Sequence, residues 1–273
     1  AAGVAGARVF ADDAPSARVG LSAYDKLVLA DDPVAYWRMS HPSHGEEEDR
    51  TGNGHTGTYH NVTEAVQLPN GDGAAVFNGS SGYFQVPDSD AFHISTTGKF
   101  TVEAWISPHT LQFPNDEAGG YVHFMGKGLK SGSDGDREWG GRMYSKVNDE
   151  DRPNRVSGYA WNLDGGKGAG AYFEEPVEVG EFIHYAIAFD TSEGEYGKVW
   201  AYRNGVLTNT QDLVYRPGTD EEVVVVPEPG PAPVRLGSRD GQSYFEGVIA
   251  KFAIYDRKLA GRDLLPHYEK MTA

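Results

Sequence analysis

KFTVEAWISP, residues 99–108, alternates without a break: Phe100, Val102, Ala104 and Ile106 project one way, Thr101, Glu103 and Trp105 the other. A period of two is the mark of a strand with one face on a core. Similar runs lie to either side. GDGAAVFNG (71–79) and GYFQVPDS (82–89) flank a turn at Ser80-Ser81-Gly82, and FIHYAIAFD (182–190) is a third strong run. In KVWAYRNGVLTN (198–209), Asn204-Gly205 is a hairpin turn, because both residues tolerate positive φ. FEGVIAKFAIYDRKL (245–259) closes the set.

The composition agrees with many short strands. The 273 residues include 35 glycines and 15 prolines, 12% are aromatic and 39% hydrophobic, enough for a large core. Only LAGRDLLPHYEKM (259–271) reads as a helix, kinked or shortened by Pro266. PEPGPAP (227–233) cannot be a central strand and is expected to be an extended surface connection. The expectation is an all-β, two-sheet antiparallel sandwich of roughly a dozen strands with a short C-terminal helix. Residues 1–22 are small and aperiodic and read as a linker or processed tail; the domain runs over 23–273.

A formal charge of −16 disfavours nucleic acid and anionic membranes as partners. The absence of cysteine excludes disulfides, thiolate metal sites and a cysteine nucleophile. No stretch approaches the roughly 18 apolar residues of a membrane span.

Eight pieces in order resemble the laminin-G-like jelly-roll domain of the concanavalin-A-like superfamily. They are PVAYWRM (33–39), DRTGNGHTGTYHNV (49–62), AAVFNGSSGYFQVPD (74–88), FTVEAWISP, EFIHYAIAFD, VWAYRNGVL, VRLGSRDG (234–241) and FEGVIAKFAIYDRKL. The resemblance implies two curved sheets packed face to face, one of them concave, in a secreted or cell-surface protein that binds carbohydrate or protein. It also implies a structural calcium ion (Ca2+) near the Asp49–Gly57 loop, with Asp49 and Asn53 as ligands and Asp256 or Glu246 as a further acid. Where the family commonly carries an aspartate followed by an acid, this chain has Ala250-Lys251, which weakens a cation site. His184 and Glu103 stand at strand positions that recur in the family, as a candidate base and acid or as structural residues.

About seventy residues, 107–179, separate two of the matching strands, an insertion relative to shorter members. Within it lies REWGGRMYSKVNDEDRPNRVSGYAWNLDGGKGAGAYFE (137–174), dense in aromatics and arginines. It holds three strand-like runs, 140–147, 155–164 and 168–177, with a turn at NDEDRPN. In the second run Val156, Gly158, Ala160 and Asn162 point one way, and Arg155, Ser157, Tyr159 and Trp161 the other. Sugars offer an apolar face for stacking and a rim of hydroxyls for Arg, Asn and Asp, so such a face suits a glycan groove. The candidate ligand-binding residues are Trp139, Arg142, Tyr144, Arg155, Tyr159, Trp161, Asn162 and Tyr172, and the expected partner is a polysaccharide or glycoconjugate. Trp161→Ala is expected to abolish binding and leave the melting temperature nearly unchanged. From Asp134 to Arg155 five basic and six acidic residues give 5 − 6 = −1, so capture of a polyanion is not expected.

Two other readings stay open. A lyase acting on a uronate polymer would draw on Tyr159, His184, Arg142 and Tyr144. A structural or adhesive module would bind protein. A hydrolase is disfavoured, since the acid-x-acid-x-x-acid strand of the superfamily's hydrolases is missing. Asn61-Val62-Thr63 and Asn78-Gly79-Ser80 are glycosylation sequons.

Overall fold

The computed structural model describes residues 20–129, 137–163 and 166–273; residues 1–19 of the tail expected over 1–22, and Asp134 and Asp136 of the charge count, lie outside them. Two antiparallel sheets of eight strands each form the sandwich. In the first sheet the strands run in the order Val206–Asp212, Lys198–Arg203, Ile183–Asp190, Lys99–Pro108, Glu246–Tyr255, Gly73–Asn78 and Glu64–Gln67, with Ala35–Trp37 paired to Glu246–Tyr255. In the second they run Gly168–Tyr172, Val156–Trp161, Arg137–Tyr144, Tyr121–Gly128, Val234–Leu236, Tyr83–Val86, Gly57–His60 and Glu46–Glu47. A ribbon, Val214–Tyr215 with Val223–Val224, stands apart from both. The count exceeds the dozen expected because several strands have only two to four residues, too short to show a period.

The layers meet through aromatic rings. Trp37 packs on Phe84, Phe100 on Trp139, and Tyr185 on both Phe124 and Phe173. Gly158 lets them approach closely: a Cβ there would stand 2.4 Å from Ile187. The Asn204-Gly205 hairpin forms as expected, with φ of 56° and 76°. Residues 80–82, by contrast, carry the chain from the first sheet to the second. Asn78 Oδ1 holds that crossover by accepting from the backbone N–H groups of Ser80, Ser81 and Gly82.

The alternation of 99–108 holds, yet both of its faces are buried. Phe100, Val102, Ala104 and Ile106 face the second sheet. Glu103 and Trp105 are roofed by the C-terminal helix Gly261–Thr272 and by a helix missed in the sequence, Ala23–Ala30, and Thr101 is covered by the connection at Arg257–Leu259. That first helix is too short to show a clear stripe, but Ser22 and Asp25 form a capping box. Trp105 Nε1 donates to Tyr24 Oη (3.0 Å), and the Trp105 ring stacks on Tyr268. The helix carrying Pro266 runs on to Thr272. The segment 227–233 has no regular structure, as expected, but is tied down: Gly230 N donates to Glu138 Oε1 and Gly230 O accepts from Lys127 Nζ.

A bulge between Ala250 and Ala253 puts Lys251 in the left-handed region at φ 55° and buries it completely. Its ammonium meets Asp25 Oδ1 at 2.6 Å and Asp72 Oδ2 at 2.7 Å, and Arg38 Nε stands 3.0 Å from Asp25 Oδ2. Burial pushes both carboxyls up, but the contact with Lys251 outweighs it and holds each below the ordinary 3.8. A lysine thus supplies the positive charge that two converging carboxylates need.

Candidate functional site

The segment 107–179 is a structural part of the sandwich, contributing four strands of the second sheet, including 121–128, which the sequence reading passed over. In the last three, the pleat sorts the side chains. Trp139, Met143, Val156, Ala160, Ala169 and Ala171 go to the core. Arg142, Tyr144, Tyr159, Trp161 and Tyr172 go to the outer face. The register sets Tyr159 opposite Gly170 on one side and Gly140 on the other, and Trp161 opposite Gly168. The two rings lie down over these glycines, stacked 5.5 Å apart at 23°. A Cβ on Gly168 would stand 2.3 Å from Trp161 Nε1, and one on Gly170 would stand 2.7 Å from the Tyr159 ring. The glycine string therefore admits the chain's own rings, giving a flat floor.

Arg142 lies across that floor, its guanidinium carbon 4.1 Å from the Tyr121 ring centre, 4.7 Å from that of Tyr159 and 5.5 Å from that of Trp161. His123 holds it from below. Arg142 Nε (3.0 Å) and Arg239 Nη1 (2.8 Å) both approach His123 Nε2, and Glu117 faces Nδ1 at 2.5 Å. Burial, then the charges of Arg239 and Arg142, push this imidazole well below 6.5, so it is neutral. Its Nδ1–H then donates to Glu117, leaving Nε2 to accept from both arginines. At the rim Arg152 Nη1 donates to Tyr159 Oη (2.6 Å), and Tyr144 and Tyr159 share a hydroxyl contact at 3.0 Å. Glu150 accepts from Tyr144 Oη and pairs with both Arg142 and Arg152. The Arg152 guanidinium also stacks 4.5 Å over Tyr172.

Above this floor opens a cleft of about 730 Å³. Its far wall comes from Gln211 and Asp212 of the first sheet's edge strand, from Tyr215 of the ribbon and from Arg216 and Pro217 in the loop that joins the ribbon's strands. Lys167 (4.7 Å) and Arg216 (5.3 Å) both lie over the Tyr215 ring.

Of the residues expected in the groove, Arg142, Tyr159, Trp161 and Tyr172 line the cleft. Trp161 is nevertheless only 2% exposed, beneath Arg142 and Arg239, so it supports the floor instead of presenting a ring to a ligand. Tyr144 is buried and acts through its hydroxyl. Trp139 is a core residue, its Nε1 donating to Phe92 O; three residues from Arg142 on one strand, it must face the other way. Asn162 fastens the segment 224–226, accepting from Val226 N and donating to Val224 O. Arg155 stands outside the lining, half-buried, its backbone carbonyl accepting from Tyr144 N. Arg137, Arg152, Asp212, Tyr215 and Arg216 line the cleft without having been chosen. The last three come from the first sheet's edge strand and from the ribbon with its loop, which no local pattern could connect to residues 137–172.

His184 lies on the outer face of the first sheet and takes no part in the cleft. Glu103 Oε2 meets His184 Nε2 at 2.6 Å, both its oxygens meet His267 Nδ1 at 3.0 Å, and Tyr255 Oη donates to Oε1. Glu103, His184 and His267 are the one group among the described residues whose spacing could hold a metal ion. One carboxylate and two imidazoles are unlike the six to eight oxygens that calcium takes, and direct hydrogen bonds already join them. The expected calcium ligands are engaged separately. The Asp49 carboxylate accepts from the backbone N–H groups of Tyr36, Thr51 and His55 and from the Thr51 hydroxyl. Asn53 Nδ2 donates to Val34 O, and Asp256 is exposed, its carbonyl accepting from Thr97.

The family model for the concanavalin A-like lectin/glucanase superfamily, of laminin-G type, matches residues 78–264. The chain belongs to this superfamily. Among solved structures, this lectin-like chain resembles the receptor-binding domain of botulinum neurotoxin type G (TM-score 0.58, 14% identity, 87% of this chain and 51% of that one). It also resembles the serotype D ligand-binding domain in complex with N-acetylneuraminic acid (0.59, 14%, 88% and 51%). A third is domain 4 of an extracellular arabinanase from Geobacillus stearothermophilus, in complex with arabinotriose (0.57, 18%, 86% and 98%). The chain spans about half the length of the neurotoxin domains and nearly all of the arabinanase domain. No curated protein sequence matches it. No helix among the described residues is long and apolar enough to cross a membrane.

Proposed function

We propose that this chain is a non-catalytic carbohydrate-binding module of a secreted or surface protein, and that its glycan lies in the cleft between the 137–172 strands and the 211–217 wall. The observation that carries the proposal is the lining: the half-buried rings of Tyr159, Tyr172 and Tyr215 face a space of about 730 Å³ together with arginine side chains. Phenol rings supply stacking area for the apolar face of a sugar, and guanidinium N–H groups supply donors for its rim. The similar domains solved with N-acetylneuraminic acid and arabinotriose support a saccharide as the class of ligand. A glycan array read with the wild-type chain and with Tyr215→Ala tests this. Tyr215 stands on the ribbon and leaves the sheets intact, so its loss is expected to weaken binding at least tenfold with little change in melting temperature. Unchanged binding places the glycan elsewhere.

One contact favours a second reading. Arg152 Nη1 donates to Tyr159 Oη, setting a guanidinium directly beside a phenol, the pair a uronate lyase needs to hold the substrate carboxylate next to its base. His184 has no share in this version. Incubation with uronate polymers, followed at the absorbance of unsaturated product, decides it: no absorbance rise removes the lyase.

A further inference from the structure

The charges of the cleft differ from those of the chain around it. Among the described residues, Arg137, Arg142, Arg152 and Arg216 line it, against two carboxylates, Glu150 and Asp212, whereas the whole chain carries a formal −16. The near-neutral count over residues 134–155 misses this because pleat and turns send Glu138 and Asp149 elsewhere. Glu138 is tied to Lys127 and His93 beneath the 227–233 connection, and Asp149 lines a separate small hollow with Asp116 and Glu117. Glu150 is one carboxylate shared between two guanidiniums. Arg216 comes from the opposite wall, paired with Glu221 in the loop that joins the ribbon's two strands. Burial weakens a guanidinium, but the surrounding hydroxyls and Glu150 outweigh that and raise both Arg142 and Arg152, so both charges are permanent. Arg152 makes its polar contacts through Nη1 alone and its side chain is 30% exposed.

We infer that the ligand of this cleft is an acidic saccharide whose carboxylate is received by Arg152 from the floor and Arg216 from the facing wall. The inference rests on the carbohydrate reading of the cleft and narrows it. The planar fork of a guanidinium matches a carboxylate in two parallel hydrogen bonds, while the Tyr159 and Tyr172 rings beside Arg152 offer the sugar's apolar face a surface. Against a strongly acidic protein, a cleft whose described lining carries a surplus of two positive charges also attracts an anion selectively to this place.

The test uses matched pairs differing only in the carboxylate: galacturonate against galactose oligomers, and sialyllactose against lactose, titrated calorimetrically into the whole chain. The acidic member of at least one pair is expected to bind about ten- to a hundredfold tighter, the range for a hydrogen-bonded charge pair, and to weaken as salt is raised. Arg216→Gln, exposed in the loop that joins the ribbon's strands and clear of the Tyr144–Tyr159 network, is expected to remove most of that preference while keeping the melting temperature. Arg152→Lys is expected to retain part of it and Arg152→Gln little. Equal affinity within both pairs overturns the inference and leaves the carbohydrate reading standing. Sulfated polymers binding more tightly than carboxylated ones overturns it too. Silence across both pairs and a neutral glycan array overturns both readings.

Discussion

Lys251→Met removes an ammonium from the buried junction of Asp25 and Asp72 while keeping the length of the side chain and the left-handed backbone at φ 55°. Removing one partner of a buried ion pair costs about 3–5 kcal/mol, because the other charge stays behind in a poor solvent. Two features set the expectation at the lower end. Asp25 keeps Arg38 at 3.0 Å and the Tyr36 hydroxyl at 2.7 Å, and Asp72, 15% exposed, can regain water. A loss of about 3 kcal/mol lowers the melting temperature of a domain this large by roughly 6–12 °C. Calorimetry near neutral pH reads it directly. The pH dependence gives a second check. Both carboxyls titrate below 3.8 in the folded chain, so their stabilisation is present above 3.8 and is lost as pH falls through the lowered values. The gap between wild type and variant is therefore widest at neutral pH and narrows in acid. A drop of less than about 2 °C, or a gap that widens in acid, would refute the view that Lys251 neutralises these carboxylates.

Trp161→Ala is expected to cost about 3–5 kcal/mol, the range for a buried tryptophan, contrary to the nearly unchanged melting temperature expected of a surface platform. Gly170→Ala, whose methyl would meet the Tyr159 ring and Gly158 O, is expected to lose about 1–3 kcal/mol and to shift the tryptophan fluorescence as the stacked pair tilts; unchanged emission would show that the rings do not depend on the glycine. Burial opposes the charge on His267, but Glu103 and then Asp31 outweigh it and raise the imidazole above 6.5. The stability it confers is therefore full below 6.5 and lost as pH rises through the raised value. Urea unfolding of His267→Gln is accordingly expected to differ most from wild type in mild acid and least in alkali.

The sandwich was legible because long strands repeat the period of two that the pleat imposes, and because Asn204-Gly205 marks its hairpin without help from distant residues. What the period does not reveal is whether the outward face meets water. The faces of 99–108 read alike whether Glu103 is solvated or roofed, and the roof comes from both ends of the chain. The same rule, applied across the whole of 137–144, excludes Trp139 from a face shared with Arg142; choosing residues by aromatic character overlooked it. Tyr215 and Arg216 were invisible for another reason. Their place across the cleft from Tyr159 is decided by how the ribbon stands against the second sheet, and local sequence carries no trace of that distance.

The floor of the cleft hangs on one layer of the sandwich and part of its far wall on the margin of the other. Its width therefore gauges how far the layers part along that seam, like the gap between the covers of a book held at the spine. A ligand bridging the two margins acts as a clasp, and grip and mechanical cohesion at that border become one property.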